Sequence, residues 1–225
     1  MNLRPHIPNV CTLLNAFSGM AAIFFLSQEQ IDIALICWGA CYVFDGLDGL
    51  FARSFRVESD LGKQLDSLAD AISFGALPTY FLFVLSDDGN PVISLGCIIY
   101  LLGVILRLAR FNIEESKNIF FQGLSSPLAA LLIAWIGIGL GGSLPLFYYP
   151  LFAVLLAFMM NVSVPLLKTK GFQHVPKPVF VFSGFVLVLG IGLQMLFETS
   201  LLIPLGLLLY LLLSVSTFHR LKDKS

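Results

Sequence analysis

The sequence predicts an all-α fold: a polytopic bundle of about eight transmembrane helices with both termini in the cytoplasm. Three observations carry that prediction. Hydrophobic residues fill 57% of the 225 positions and charged residues only 12%, which excludes an ordinary soluble domain. Apolar runs of about 20 residues recur from end to end, the length at which a helix crosses hydrocarbon and satisfies its own backbone. All 13 Lys and Arg fall in alternate connections between those runs.

The spans are expected at roughly 8–26, 31–52, 61–85, 92–108, 127–142, 146–167, 179–197 and 201–218. The first opens with Pro8, and the second closes on a cluster of Asp, Gly and Arg. The third is the least apolar and is expected to continue as helix beyond the membrane on one side. A connection of about ten residues joins these two. The fourth ends in Arg107 and Arg110; the last two carry no readable chemistry. No strand-like alternation competes with the helical reading. The connections are short, so residues 1–225 are expected to form one integral-membrane domain. Its motif core covers 8–130 and its C-terminal spans 146–218. No small-residue cleavage site follows the first apolar stretch, and further spans come at once, so no cleavable signal peptide is expected.

Orientation follows from charge. With a cytoplasmic N-terminus, Arg4, Arg53, Arg56, Lys63, Arg107, Arg110, Lys117, Lys168, Lys170, Lys177, Arg220, Lys222 and Lys224 all lie on the inner side. The opposite loops, such as "SQEQ" and "SDDGN", carry no Lys or Arg. Short cytoplasmic loops retain positive charge, so the expected location is the cell membrane. The four cysteines, Cys11, Cys37, Cys41 and Cys97, lie in apolar spans without CxxC spacing and read as small packing residues. His6, His174 and His219 are isolated near helix ends and suggest no metal site.

Four aspartates stand against this apolar background. Asp45 and Asp48 are three apart at the end of the second span; Gly62, Asp66 and Asp70 step by fours into the third. Such spacings share a helix face, so two antiparallel helices can turn both stripes into one cavity. At about 1.5 Å per residue, Asp45 lies roughly 20 Å from the outer end of its span, which places the cavity near the cytoplasmic surface. An ionised Asp at a helix centre costs about 2.5–3.5 kcal/mol on insertion scales. Arg53, Arg56 and Lys63 are too few, and mostly in the loop, to offset four. Hard divalent cations suit clustered carboxylates, and four carboxylates are enough for two ions, a recurring device for displacement at phosphorus.

A polar helix interface or a cation pathway would also use buried carboxylates. Neither requires the other residues nearby. Gly49, Ala52 and Gly62 remove side chains where a bulky ligand would approach, Arg53 adds a cation suited to a diphosphate, and Ser59 offers a hydroxyl. Arg107 and Arg110, three apart at the cytoplasmic end of the fourth span, read either as snorkelling anchors or as a fork for a carboxylate. Asn9 and Thr12 share one face of the first span; they read equally as site residues or as a helix start capped by Asn9.

The run Asp45-x2-Asp48-Gly49-x2-Ala52-Arg53-x8-Gly62-x3-Asp66-x3-Asp70 resembles, without gap or substitution, the signature of the CDP-alcohol phosphotransferases. The resemblance implies that a cytidine diphosphate-linked substrate meets a hydroxyl acceptor, CMP leaves, and a phosphodiester forms. It implies that Asp45, Asp48 and Asp66 hold Mg²⁺ or Mn²⁺, with two ions per site. Asp70 would be a metal contact and the base for the acceptor's proton. Gly49, Arg53 and Ser59 would lie along the CDP-lipid headgroup, and "IPNVCTLLN" resembles the entry helix that brings Asn9 and Thr12 to the nucleotide.

Three further stretches, "LDSLADAISFG", "RLARFN" and "FFQGLSSPLAA", resemble the phosphatidylserine synthases of bacteria and archaea within that family. The last departs from the usual pattern in having Ser125 where Pro is usual. What the resemblance implies is transfer of a phosphatidyl group from CDP-diacylglycerol to L-serine, with Arg107 and Arg110 as candidate serine contacts. Membrane lipid and a second copy of the chain, as a homodimer, are the other expected partners; no nucleic acid is expected. Small residues in "GIGLGG" are suited to close helix contact. The rival readings are a sister enzyme using glycerol phosphate, inositol phosphate, choline or a second lipid, a membrane prenyltransferase, and a cation transporter.

Overall fold

The computed structural model describes residues 6–86, 91–113, 120–139, 148–162 and 165–167. They form helices α1 (His6–Ser27), α2 (Ile31–Phe55), α3 (Asp60–Asp70), a π turn (Ala71–Ala76), α4 (Leu77–Ser86), α5 (Pro91–Ile113), α6 (Ser126–Gly139) and α7 (Tyr148–Asn161). Strand β1 (Phe120–Gln122) lies between α5 and α6, and β2 (Pro165–Leu167) follows α7. The α3–π–α4 run is one continuous helix, Asp60–Ser86. Among the described residues four helices are long and apolar enough to cross a membrane: His6–Ser27, Ile31–Phe55, Asp60–Ser86 and Ser94–Ile113. At about 1.5 Å per residue, a 27-residue helix reaches roughly 40 Å, beyond the hydrocarbon core. The seventh and eighth expected spans lie outside the described residues.

Two boundaries differ from the expectation. The sixth span was expected to reach 167, but α7 ends at Asn161 and residues 165–167 pair antiparallel with β1, Phe120 opposite Leu167 and Gln122 opposite Pro165. Val162, which follows α7, is β-branched, and Pro165, which opens β2, has no N–H to continue a helix. This three-residue ribbon is the one β element among the described residues, set against an otherwise helical fold. The connection between α2 and α3 is also shorter than the expected ten residues. It is the four residues 56–59, because both helices continue into it.

Both turns of the first three helices are closed in the same way. Arg56 has φ 56°; its N–H donates to Arg53 O at 3.3 Å and the next N–H, of Val57, donates to Ala52 O at 3.0 Å. Glu29, with φ 59°, does the same after α1: its N–H reaches Leu26 O at 3.1 Å and that of Gln30 reaches Phe25 O at 2.9 Å. This is the Schellman closure, with a residue in the left-handed region satisfying the final carbonyls of the helix. Ser59 then caps α3, its Oγ accepting from the N–H of Gly62 at 3.0 Å.

The core is shared by α1, α2, the π turn and α4 to α7, with Trp38 edge-on to Phe81 at 5.4 Å and Tyr42 against Phe74 at 4.8 Å between ring centres. The π turn widens the backbone and leaves carbonyls to be satisfied from outside. Tyr100, fully buried on α5, donates its hydroxyl to Phe74 O at 2.9 Å, and Thr79 Oγ1 donates to Gly75 O at 2.9 Å. The α5–α7 seam depends on close approach: a Cβ at Gly103 would stand 2.7 Å from Ala157 Cβ, and one at Gly96 would strike Pro150. Gly137, from the small-residue run considered for contact between copies, is used within the chain, against Phe81 and Leu85 of α4.

Candidate metal centre and active site

The two aspartate stripes converge. One carboxylate oxygen from each of Asp45, Asp48 and Asp66 lies within 4.8 Å of the others. The four-residue turn folds α3 back against α2, so positions three and four apart on each helix face one volume. Asp48 is 7% exposed and Asp45 and Asp66 are half-buried. Asp70, one turn deeper on α3 and also 7% exposed, lies beside Asp45. Its Oδ1 has no hydrogen-bond partner among the described residues. Clustered acceptor-only oxygens, one of them buried and unmatched, fit hard divalent ions and do not fit a closed polar interface.

The first helix orients this cluster. Thr12, buried on α1, donates its hydroxyl to Asp48 Oδ2 at 2.6 Å. Asn9 lies one turn earlier. It is not a helix cap, because α1 begins at His6 and takes Pro8 into its first turn, where a missing N–H costs little. Asn9 faces the start of α3 instead: a Cβ at Gly62 would stand 3.3 Å from Asn9 Oδ1 and 3.1 Å from Ser59 Oγ. Gly62 is therefore the residue that lets three chain segments meet. Gly49 serves Arg53 in the same way, since a Cβ there would be 3.2 Å from Arg53 Nη1. The exposed guanidinium folds back along α2 over the glycine, toward the cluster side. Ala52 is half-buried in the last turn of α2.

The two arginines expected near the acceptor have different surroundings. Arg107 is 8% exposed, donates through Nη1 to Ser126 Oγ at 3.0 Å, and is close enough to Asp70 to interact with it electrostatically. Arg110 is exposed and donates through Nη1 to the carbonyl of Asn161 at 3.1 Å, at the C-terminus of α7. Only Arg107 is thereby brought to the aspartates. Ser59, expected as a headgroup contact, has a definite structural task as the α3 cap.

Sequence reasoning missed several residues around the site. Asn15, three residues after Thr12 on the same α1 face, is fully buried, and both its amide atoms lack a hydrogen-bond partner among the described residues. Its backbone carbonyl accepts from Cys41 Sγ at 3.7 Å, one turn from Asp45 on α2. The three-residue step from Thr12 was the available signal. Ser126, fully buried, and Asn112, at the end of "RLARFN", act through contacts that no local spacing announces.

The family model described as CDP-alcohol phosphatidyltransferase matches residues 5–167. A CDP-diacylglycerol–serine O-phosphatidyltransferase of Methanocaldococcus jannaschii is 39% identical over 127 residues, 56% of this chain and 58% of that protein. Proteins of the same name from Bacillus subtilis (33% over 129 residues, 57% of this chain and 73% of that protein) and Mycobacterium leprae (34% over 134 residues, 56% and 45%) are also similar. The chain spans about half the length of several of the curated relatives it matches, 45% of the Mycobacterium leprae protein.

Proposed function

This chain belongs to the CDP-alcohol phosphatidyltransferase family, and from that premise we propose that it transfers the phosphatidyl group of CDP-diacylglycerol to L-serine, giving phosphatidylserine and CMP. The observation that carries the reading is the meeting of Asp45, Asp48 and Asp66 within 4.8 Å, with Asp70 beside them. The choice of serine as acceptor draws support from the names of the similar proteins.

Asp45, Asp48 and Asp66, with one oxygen of Asp70, would hold two Mg²⁺ or Mn²⁺ ions, whose charge would offset that of the diphosphate and of the departing CMP. The protein's own groups supply the rest. Thr12 fixes the rotamer of Asp48, so the cluster is set before substrate arrives. Arg53, bent over Gly49, offers a cation along the diphosphate. The serine hydroxyl oxygen attacks the phosphorus that bears diacylglycerol. The bond from that phosphorus to the CMP oxygen breaks, and the serine proton passes to Asp70. A carboxylate can be both ligand and base only if one of its oxygens stays off the metal, and this reading reserves one Asp70 oxygen for the proton. Arg107, beside Asp70, is the candidate partner for the serine carboxylate. Direct displacement is the simpler route, since the motif offers no uncommitted nucleophile.

The reading places the site at the cytoplasmic face of the cell membrane, on the strength of the positive charge in alternate connections. The acyl chains stay in the bilayer, and the chain works as a homodimer, which cross-linking in native membranes would test. The deciding experiment offers purified protein CDP-diacylglycerol with serine, glycerol phosphate, inositol phosphate or choline in turn, scored by CMP release with Mg²⁺ or Mn²⁺ and with chelator. Turnover with serine that stops on chelation is the expected result. Turnover unaffected by chelation, or with a different acceptor only, would overturn it.

A further inference from the structure

The acidic cluster is held from α1 through Thr12, but its third member, Asp66, belongs to α3, an eleven-residue helix of low hydrophobicity with little to bury. Leu61 and Leu68 on α3 are 69% and 66% exposed, so that face is largely uncovered by the described residues. Besides its continuation into the buried π turn and its packing on α1, α3 is held by a set of polar contacts from one residue of α5. Asn112 accepts at Oδ1 from Ser67 Oγ at 2.9 Å and donates from Nδ2 to Gln64 Oε1 at 3.1 Å. Its backbone carbonyl accepts from Lys63 Nζ at 2.7 Å, and the same ammonium lies 5.6 Å from the ring centre of Phe111.

Both ends of one planar amide are thus used on neighbouring turns of α3, on residues that flank Asp66 in sequence. At about 100° per residue, this contact lies roughly a quarter-turn round the helix from Asp66. We propose that Asn112 is a positioning residue for the acidic cluster: it clamps α3 in the rotation that turns Asp66 toward Asp45 and Asp48. The clamp touches no substrate and no member of the cluster. A rotation of α3 by a residue's step, about 100°, would swing the Asp66 carboxylate out of the 4.8 Å grouping and bring Leu65 or Ser67 to its place. Groups that orient a ligand from behind are typically worth 10–100-fold in metal affinity.

The inference rests on the metal-holding role of the cluster given above, and its test separates the two. Full-length protein without substrate is titrated with Mn²⁺, and free Mn²⁺ is counted by electron paramagnetic resonance. Asn112→Ala should weaken binding about tenfold or more, and Ser67→Ala and Gln64→Ala less. Adding Ser67→Ala to Asn112→Ala should weaken it no further, since Asn112→Ala already removes the Ser67 contact along with that to Gln64. Asn161→Ala is the control. It breaks the bond from Asn161 Nδ2 to Gly103 O, a helix–helix contact of similar kind away from Asp66, and should lower stability while leaving Mn²⁺ affinity unchanged. Folded Asn112→Ala that binds Mn²⁺ as the unaltered protein does overturns the clamp alone. Unaltered protein that binds no Mn²⁺ overturns the metal role beneath it, and the clamp with it. If Asn112→Ala does not fold, Ser67→Ala decides, and undiminished affinity there defeats the proposal.

Discussion

Thr12 and Asp48, 36 residues apart, are joined by a 2.6 Å hydrogen bond between α1 and α2. The donor is buried, and so is the carboxylate it serves. A single threonine thereby ties the entry helix to the acidic cluster, and α1 becomes part of the site instead of a bystander.

Replacing Thr12 by Val keeps the shape and removes the donor. A hydrogen bond to a charged group contributes about 1.5–3 kcal/mol, so the Mn²⁺ concentration for half-maximal CMP release should rise at least tenfold. Thr12→Ser, which keeps the hydroxyl, should stay within about threefold. Equal effects of Val and Ser would assign Thr12 to packing.

Asp66→Asn and Asp70→Asn should each remove most turnover, by about 100-fold or more, while thermal unfolding shows an intact bundle. The two should differ in kind. Extra Mn²⁺ should recover part of the Asp66→Asn activity and none of the Asp70→Asn activity, because only the second change removes the proton acceptor. Near-normal turnover of Asp70→Asn would refute its role as base.

Arg107 and Arg110 should separate cleanly. Arg107 is buried beside Asp70 and bonded to Ser126, so Arg107→Lys, which keeps charge but loses the fork, should raise the serine KM at least tenfold with a smaller effect on CDP-diacylglycerol. Arg110, exposed and spent on the Asn161 carbonyl, should tolerate Ala with less than a threefold change in either KM. A large serine effect from Arg110→Ala would reverse this assignment.

Gly49→Ala should raise the KM for CDP-diacylglycerol more than that for serine. The added methyl would stand 3.2 Å from Arg53 Nη1 and push the guanidinium off its seat over α2. Gly39→Ala, on the same helix with open space around it, is the matching control and should leave both constants unchanged.

Arg56→Gly should stabilise the protein by about 1 kcal/mol, read as a rise in unfolding temperature. The left-handed conformation at φ 56° costs a side chain about that much and costs glycine almost nothing. A fall in stability would show that the Arg56 side chain has a stabilising partner that outweighs its backbone.

The aspartate geometry was legible in the letters because helical periodicity converts spacing into direction: Asp45 with Asp48 and Asp66 with Asp70 had to share faces once each segment was helical. The same reasoning gave the first four spans, now α1 to α5, to within about five residues at each end. It failed where the backbone departs from regularity. The early turn at Arg56 rests on a left-handed residue that is not glycine, and the β1–β2 pairing involves three residues a side, too few to show alternation. It left Asn9 open between a cap and a site residue, and the choice came from its neighbours at the start of α3.

Sequence alone therefore determined the apolar helical character, the distribution of charge between connections, and the identity and facing of the carboxylates, since each follows from composition or from the 3.6-residue repeat. Only the tertiary structure decided that Arg107 and not Arg110 reaches Asp70, that Thr12 binds Asp48, that Tyr100 secures the π turn after Asp70, and that Asn112 grips α3. Those contacts join residues 19 or more positions apart, and no local period encodes them. They exist because burying a polar group without a partner is costly, and the partner that removes the cost is chosen by how the helices pack.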